Sequence, residues 1–506
     1  MMFWYMIQAS LDFPLWLRVS HYINLLFIGL LIRSGLQILG AHPRLYWHDS
    51  SDPRRAWLTL TKKKIPEGKL YTSMDDEVSV SPFLGLPGKK NLGLGRHWHF
   101  FSIIFWVLNG LVYVTLLFVT GEWSRLIPTS WSIVPAAWHT FVTYITLHIP
   151  PASEFRPYDP LQQLAYAAVV FLLGPFMLAT GAAMSPAIEA RFPWYLKLLG
   201  GKQSARSLHY LSLILFTVFI FVHTALVLIV HFQSNVRAIV LGSETSDLGL
   251  AFTIGVIALL VVAIIYIWSS WYTLRRRSLM QHALGAIVDP VRRFLLHKAV
   301  SKQRYGSDDI STYFWVNGRP PQEDEFKALV ANDFSDWRLQ IGGLVEHPLQ
   351  FSLADLRAFP KHTQITKHNC IQGWSGIAEW SGVSLSELME VCGVRPEVKY
   401  LVFTSYQRGA QSYPEATDEE KQRYFYETID MQQARHHQTI LAYEMNGIPL
   451  LLEHGAPLRL RVETLLGYKM VKYLHSIDFV EDYSHIGAGQ GGFREDVQFY
   501  GRGAEV

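Results

Sequence analysis

The alternation of apolar and polar positions divides the chain near residue 275. Before that point, apolar runs of about 20 residues, enough to cross a hydrocarbon core of ~30 Å, recur at 16–40, 100–120, 161–184, 206–232 and 249–272. Aromatic side chains gather at their ends, as at Trp16, Trp123, Trp268, Trp271 and Tyr272, where a membrane–water interface favours them. A shorter run, 131–149, carries His139 and His148 between flanking prolines and is expected to lie in the interface. The pattern predicts an all-α transmembrane bundle of five spans over 1–274.

After RRRSLMQ the period changes. Residues 275–310 are polar and basic and read as a linker. From 311 onward strand and turn signals dominate. The segments 337–345, 399–406 and 457–464 alternate as strands do, the last with Leu458, Leu460 and Val462 on one face. The segments 384–394 and 429–437 read as short helices, and Pro348 and Asn446-Gly447 as turns. The expectation is a multi-domain chain, with an α+β domain over 311–485 and a C-terminal tail over 486–506. There is no internal repeat and no low-complexity tract.

Composition supports that division. Only 17% of the 506 residues are charged, against about 25% in soluble domains, and this predicts a multi-pass membrane protein embedded in lipid. The net charge of +3 and the lack of a basic stripe exclude nucleic acid as a partner. Two cysteines, Cys370 and Cys392, cannot make a disulfide framework. MMFWYMIQASLDF has neither a basic n-region nor a small-residue cleavage site, and no twin-arginine pair precedes the first apolar run, so a removable leader is not expected. Lys and Arg concentrate in 41–96, in 185–205 and at Arg275-Arg276-Arg277, while the opposite side carries few, such as Arg125, Arg156 and Arg237. The positive-inside rule then places the C-terminal domain in the cytoplasm, at the inner (plasma) membrane.

His21, His209 and His223 fall inside apolar spans, and His97 and His99 at the entry of another. An ionisable group at membrane depth is costly and points to function, although a lone neutral imidazole also serves as an interhelical hydrogen-bonding group. His209 and His223 are 14 residues apart on nearly one helical face, roughly 21 Å along the axis. Each can therefore reach a separate metal at opposite depths of one bilayer. With antiparallel neighbours, His21 can pair with His223, and His97 or His99 with His209. Haem iron accepts such axial nitrogens between facing helices.

The elements LRVSHYINLLFIGLLIRSG, GRHWHFF, YDPLQQLAY and RSLHY followed twelve residues later by His223 resemble the bacterial di-haem cytochrome b family that anchors hydrogenases, formate dehydrogenases and thiosulfate reductases. The resemblance covers about 12–235. It implies two b haems held by His21, His209, His223 and His99, with His97 as the alternative to His99.

In ITKHNCIQGWSGIAEWSGVSL, Cys370 follows a strand beside His368, Asn369 and a glycine turn. Such a sulfur can be a nucleophile, a metal ligand or a packed thiol. Cys392, on an apolar helix face, reads as core. The Cys370 segment resembles the sulfite-oxidase-like molybdopterin oxidoreductase family. So do YFWVNGRPP, LQIGGLVEHPLQFSLADL and the long segment ILAYEMNGIPLLLEHGAPLRLRVETLLGYKMVKYLHSIDF, and the match runs over about 310–485.

That resemblance implies a molybdenum ion held by the dithiolene of a molybdopterin and by Cys370. It implies cofactor contacts at His454, Arg459, Met470, Val471, Lys472, Ser405, Asn317, Tyr313 and Trp315. Read singly, Arg459 and Arg461 could be a solvated strand face. Two departures stand out. Ser375 and Val316 occupy positions where true sulfite oxidases carry arginines, and Trp374, Trp380 and Tyr406 are expected at the rim, Tyr406 near the chemistry. A less charged oxo-transfer substrate, such as a sulfoxide, is therefore expected, because a dianion would lose its charge-assisted bonds. The expected activity is oxo transfer with electrons exchanged through the haems with quinone. The alternatives are a sulfite-type dehydrogenase, or a membrane redox carrier or sensor without turnover.

Overall fold

The computed structural model describes residues 13–148, 158–296, 305–409 and 417–501. The chain forms two compact units, one of Met1–Gly35, Trp98–Gly181 and Leu208–Leu274, the other of Leu36–His97, Ala182–Ser207 and Arg275–Val506.

The helices in chain order are α1 (Leu15–Ala41), α2 (Leu92–Val119), α3 (Ile133–Ile145), α4 (Pro160–Ala183), α5 (Lys202–Ile229) and α6 (Leu248–Arg275). Five of these, all but α3, are long and apolar enough to cross a membrane. Their apolar side chains point largely outward, as with Leu259, Leu260, Ile264 and Ile267 on α6. So wide an exposed apolar surface suits lipid rather than water. With 13 residues, α3 spans only ~20 Å, too short to cross. A wide turn interrupts α4 at Val169–Leu173, where Pro175 has no N–H to return to the preceding turn.

The second unit is built on two sheets. The strands are β1 (Arg44–Leu45), β2 (Leu58–Thr59), β3 (Leu339–Gly343), β4 (Leu349–Phe351), β5 (Lys361–Asn369), β6 (Ser375–Ser384), β7 (Tyr400–Arg408), β8 (Tyr424–Asp430), β9 (Ile440–Met445), β10 (Ile448–Pro449), β11 (Arg459–Arg461) and β12 (Leu474–Val480). One sheet runs β10-β9-β6-β5 with β11 also on β9, the other β4-β3-β12-β7-β8, and β1 pairs with β2. All pairs are antiparallel except β12 with β3. Period-two alternation puts Leu339 and Ile341 of β3 into a core with Trp337, Leu401, Phe403, Ile477 and Phe479. Cys392 is buried in this core, as expected.

Three expectations change here. The presumed linker over 275–310 contains a helix, α7 (Arg277–Leu296), which buries Met280, Leu284 and Val288 at four-residue spacing. Of 429–437, only Met431–Ala434 is helical; Asp430 ends β8 and caps that turn by accepting from the Gln433 N–H. The sheet unit is also wider than 311–485, because it takes in 36–97, 182–207 and the described part of the tail. Buried ion pairs show why. Arg44 meets Asp76 at 2.9 Å, and Lys367 of β5 meets Asp49 at 2.6 Å and Glu189 at 2.7 Å. These segments thus hold to the sheet unit and to one another through buried charge pairs.

Candidate active site and histidine pairs

Strand β5 delivers Cys370 into a tight turn that leads to β6. The Cys370 N–H donates to the Trp374 carbonyl at 3.1 Å and the Gly373 N–H to the Cys370 carbonyl at 3.0 Å. Gly373 sits at φ +110°, a conformation side chains disfavour. The first turn of α5 braces this loop: Lys202 donates to Asn369 at 2.7 Å, and Gln203 to the Gly373 carbonyl at 2.9 Å. The sulfur is buried, and burial pushes the Cys370 thiol up to about 12. A thiol in that state is a poor free nucleophile, and a coordinated cation is what would deprotonate it. The Asn317 amide donates toward the sulfur at 3.9 Å.

Beyond the sulfur lies a cleft lined by Trp315, Asn317, His368, Trp374, Met470 and Tyr468, and at further points by His454, Arg459, Lys472 and Arg494. Among the described residues the lining has three cationic side chains, Arg459, Lys472 and Arg494, two histidines and one carboxylate, Glu453. Arg459 donates to the His454 carbonyl at 2.8 Å and Lys472 to the Glu453 carbonyl at 2.9 Å. Burial and then Arg459 hold the Lys472 ammonium well below its ordinary range, and burial and then Arg461 bring Arg459 down to about 9. These cations are under-compensated. Arg459 Nε and Asn317 Oδ1 are also buried without a hydrogen-bond partner. A phosphate-bearing ligand with pterin-like donors and acceptors fits that set, because it would supply the missing negative charge and partners.

The structure sorts the expected residues. Trp315, Asn317, His454, Arg459, Met470 and Lys472 line the cleft. Val471 packs in the apolar core. Alternation along β7 separates Tyr406 from the cleft. Gln407 lines it, while Tyr406 packs on Phe326 and His475. Ser405 holds the wall from behind, its hydroxyl donating to the Lys472 carbonyl at 2.7 Å. Tyr313 lies edge-on to Trp315 at 5.4 Å. Trp380 stands behind the wall with Arg459 and Arg461 over its ring, so Arg461 is fully buried rather than solvated. Ser375 donates to the Asp49 carbonyl at 3.0 Å.

Sequence reasoning missed His368, Phe314, Gln407, Tyr468 and Arg494 as lining residues. His368 and Gln407 lie two residues from Cys370 and Ser405, and that closeness along the chain is the signal that could have found them. Arg494 carried no signal, since it lies in the presumed tail.

In the helical unit, the His21 and His223 rings face each other with centroids 6.3 Å apart and planes at 72°. Two imidazole nitrogens each at roughly 2 Å from one metal would bring ring centres to about that separation. The pair therefore fits bis-histidine haem. His223 Nδ1 meets the Tyr166 hydroxyl at 3.2 Å, His209 Nδ1 the Thr180 hydroxyl at 3.1 Å, and His99 Nδ1 the Ser34 hydroxyl at 3.0 Å. In each of these rings Nδ1 thus meets a hydroxyl. His97 belongs to the other unit and pairs there with the Gly93 carbonyl at 2.9 Å.

Residues 327–486 match the family profile of the oxidoreductase molybdopterin binding domain. An oxidoreductase of Bacillus subtilis, YuiH, whose role is uncharacterised, is 32% identical over 151 residues, 30% of this chain and 68% of that protein. The chain belongs to the molybdopterin-binding oxidoreductase family. Within this family, YedZ1 of Azospira oryzae, provisionally named as a protein-methionine-sulfoxide reductase subunit, is 34% identical over 164 residues, 32% of this chain and 54% of that protein. The matched region thus spans about half of YedZ1. MsrP of Campylobacter jejuni, named as the catalytic subunit of protein-methionine-sulfoxide reductase, is 27% identical over 227 residues, 41% of this chain and 74% of that protein. Residues 12–242 match prokaryotic cytochrome b561. The chain thus joins a molybdopterin-binding oxidoreductase domain to a b-type cytochrome region with five helices apolar enough to cross a membrane, and Mo-molybdopterin and haem b are the cofactors these two regions imply.

Proposed function

We propose that this protein transfers an oxygen atom to or from a small sulfur substrate and exchanges the electrons with quinone through two b haems. The observation that carries this reading is a cleft lined by Asn317 and the under-compensated Arg459 and Lys472, with the Asn317 amide reaching the buried Cys370 sulfur at 3.9 Å. Cys370 would ligate molybdenum; Trp315, Asn317, His454, Arg459, Met470 and Lys472 would hold the pterin and its phosphate. When bound, the cofactor supplies two-electron oxygen-atom exchange. The protein's part is to exclude water, orient the substrate and stabilise negative charge.

His21 with His223, and His99 with His209, would hold the two haems. The basic loops 41–96 and 185–205 belong to the sheet unit for the most part, which supports placing that unit on the cytoplasmic side of the inner membrane. Sulfoxide reduction is the favoured direction, because Ser375 and Val316 leave no arginine where a sulfite-binding site would carry them. Arg494 in the cleft favours a second reading, oxidation of an anionic sulfur substrate.

Metal analysis and stopped-flow spectroscopy of the purified full chain test the proposal. About one molybdenum and two haems per chain, with reduced haem re-oxidised by sulfoxides, is the expected result. Haem reduction by sulfite instead selects the second reading. Haem without molybdenum would leave a simple electron carrier. Cys370→Ser is expected to abolish molybdenum binding and turnover while the haem spectrum persists.

A further inference from the structure

Beneath Tyr468, on the side away from the cleft, lies a cluster of buried charges that the proposed function does not use. Lys469 donates to Glu427 at 2.7 Å and to the Gly491 carbonyl at 3.0 Å, and pairs with Glu495 at 2.5 Å. Glu427 and Glu495 thus share a single ammonium. Gly492 has no room for a side chain because both carboxyl groups press against it. The Tyr468 hydroxyl donates to Glu495 Oε1 at 3.2 Å, while Tyr468 also lines the cleft. The other oxygen, Glu495 Oε2, is buried without a partner in a residue only 3% exposed.

Two carboxyl groups that crowd one glycine in a dry site, with one ammonium between them, cannot both ionise at such close range, so one keeps its proton. The groups around the pair are Lys469 and Tyr468 from the 467–469 turn, Arg494 and Asp496 from the C-terminal helix, Tyr426 on β8 and Arg292 on α7. Asp496 is satisfied elsewhere, accepting from Tyr426 and from the Ala488 and Gln490 N–H groups. Burial and then Glu495 hold the Glu427 carboxyl well above its ordinary range, and burial and then the two carboxylates keep the Tyr468 hydroxyl protonated.

We propose that Glu427 and Glu495 store one proton, which Tyr468 relays into the cleft during oxo transfer. This rests on the reading of the cleft as a sulfoxide-reducing site. Reduction of a sulfoxide breaks its S–O bond, consumes two electrons and two protons, and releases a sulfide and water. The electrons come from quinol by way of the haems. The Tyr468 hydroxyl, turning from Glu495 toward the cleft, passes its hydrogen to water there, and its oxygen takes the proton of the dyad in exchange. The dyad then recovers a proton from solvent, and a second passage supplies the other.

The test uses the full chain carrying molybdenum and haem. Infrared spectroscopy of the resting protein at neutral pH is expected to show a carboxylic-acid C=O band that disappears in both Glu427→Gln and Glu495→Gln. Its absence from the wild type overturns the stored proton, whether or not any sulfoxide is turned over. In single-turnover re-oxidation of haem by a sulfoxide, Tyr468→Phe is expected to slow the rate roughly 100-fold and to change its pH profile and solvent isotope effect. Tyr468→Phe with full metal content and the wild-type rate, profile and isotope effect overturns the relay. A wild type that shows the acid band yet is re-oxidised by no sulfoxide keeps the stored proton and sinks the assignment of the reaction instead.

Discussion

Arg461 donates to His368 Nδ1 at 3.0 Å and thereby decides which imidazole nitrogen carries the proton. An arginine is always a donor, so Nδ1 must accept, and the proton sits on Nε2. Arg461 also forms a two-pronged pair with Glu463, at 2.9 Å through both Nε and Nη2, and lies over the Trp380 ring at 4.2 Å. One side chain thus sets a histidine of the cleft wall, neutralises a buried carboxylate and backs an aromatic ring.

Replacing Arg461 by Met therefore leaves Glu463 buried and unpaired. Breaking a buried pair in this way costs about 3–5 kcal/mol. The expected outcome is a clear fall in the thermal unfolding temperature of the full chain, larger than for Arg461→Lys, which keeps the charge but loses the fork. Equal stability of the two variants would contradict this account.

Lys367 gives a pH prediction. Burial alone would raise the Asp49 carboxyl, but Lys367 holds it below the usual carboxylate range, and Lys367 itself is raised by Glu189 and Asp49 against the effect of burial. A depressed carboxyl contributes stability that is present above its unfolded pKa and is lost as pH falls through the folded value. A raised lysine contributes stability that is present below its unfolded pKa and lost as pH rises through the folded one. The wild type should lose this share below about pH 4 and again in strong alkali. Unfolding midpoints of Lys367→Met measured across pH should lack both limbs and be lower at neutrality.

The two histidines at the start of α2 should separate cleanly. His99 pairs with Ser34 in the helical unit, whereas His97 is tied to Gly93 in the sheet unit. His99→Ala is expected to lose one haem, read by pyridine haemochrome content, and His97→Ala to keep the full complement. The reverse pattern would reassign the ligand.

Tyr406 and Asn317 offer a contrast at the cleft. The Tyr406 ring packs against Phe326 and His475, so Tyr406→Phe is expected to turn over like the wild type. Asn317 approaches the sulfur itself, and Asn317→Ala should cost about 10–100-fold in activity or metal affinity, the usual effect of removing a group that supports a ligand. Steady-state rates normalised to molybdenum content decide between them.

Much of this was legible along the chain because it is local. Apolar runs of span length announce themselves without a partner, and α1, α2, α4, α5 and α6 lie where the hydropathy put them. The order of Asn317, Cys370, Ser405, Arg459 and Lys472 marked the cofactor domain. The resemblance placed Met470, Val471 and Lys472 together at the cofactor and Tyr406 near the chemistry, although neighbours on a strand such as β7 face opposite ways. Which set faces the cleft was another matter, because alternation fixes relative and not absolute direction; only the pairing of β7 with β12 and the closure of both sheets settle it. Likewise nothing near Arg461 in the chain shows that His368, 93 residues away, will sit on its guanidinium. Nor does the polar stretch after 485 reveal Arg494 in the cleft. Periodicity is a property of neighbours, whereas burial, charge pairing and the far wall of a site are made by segments that meet only on folding.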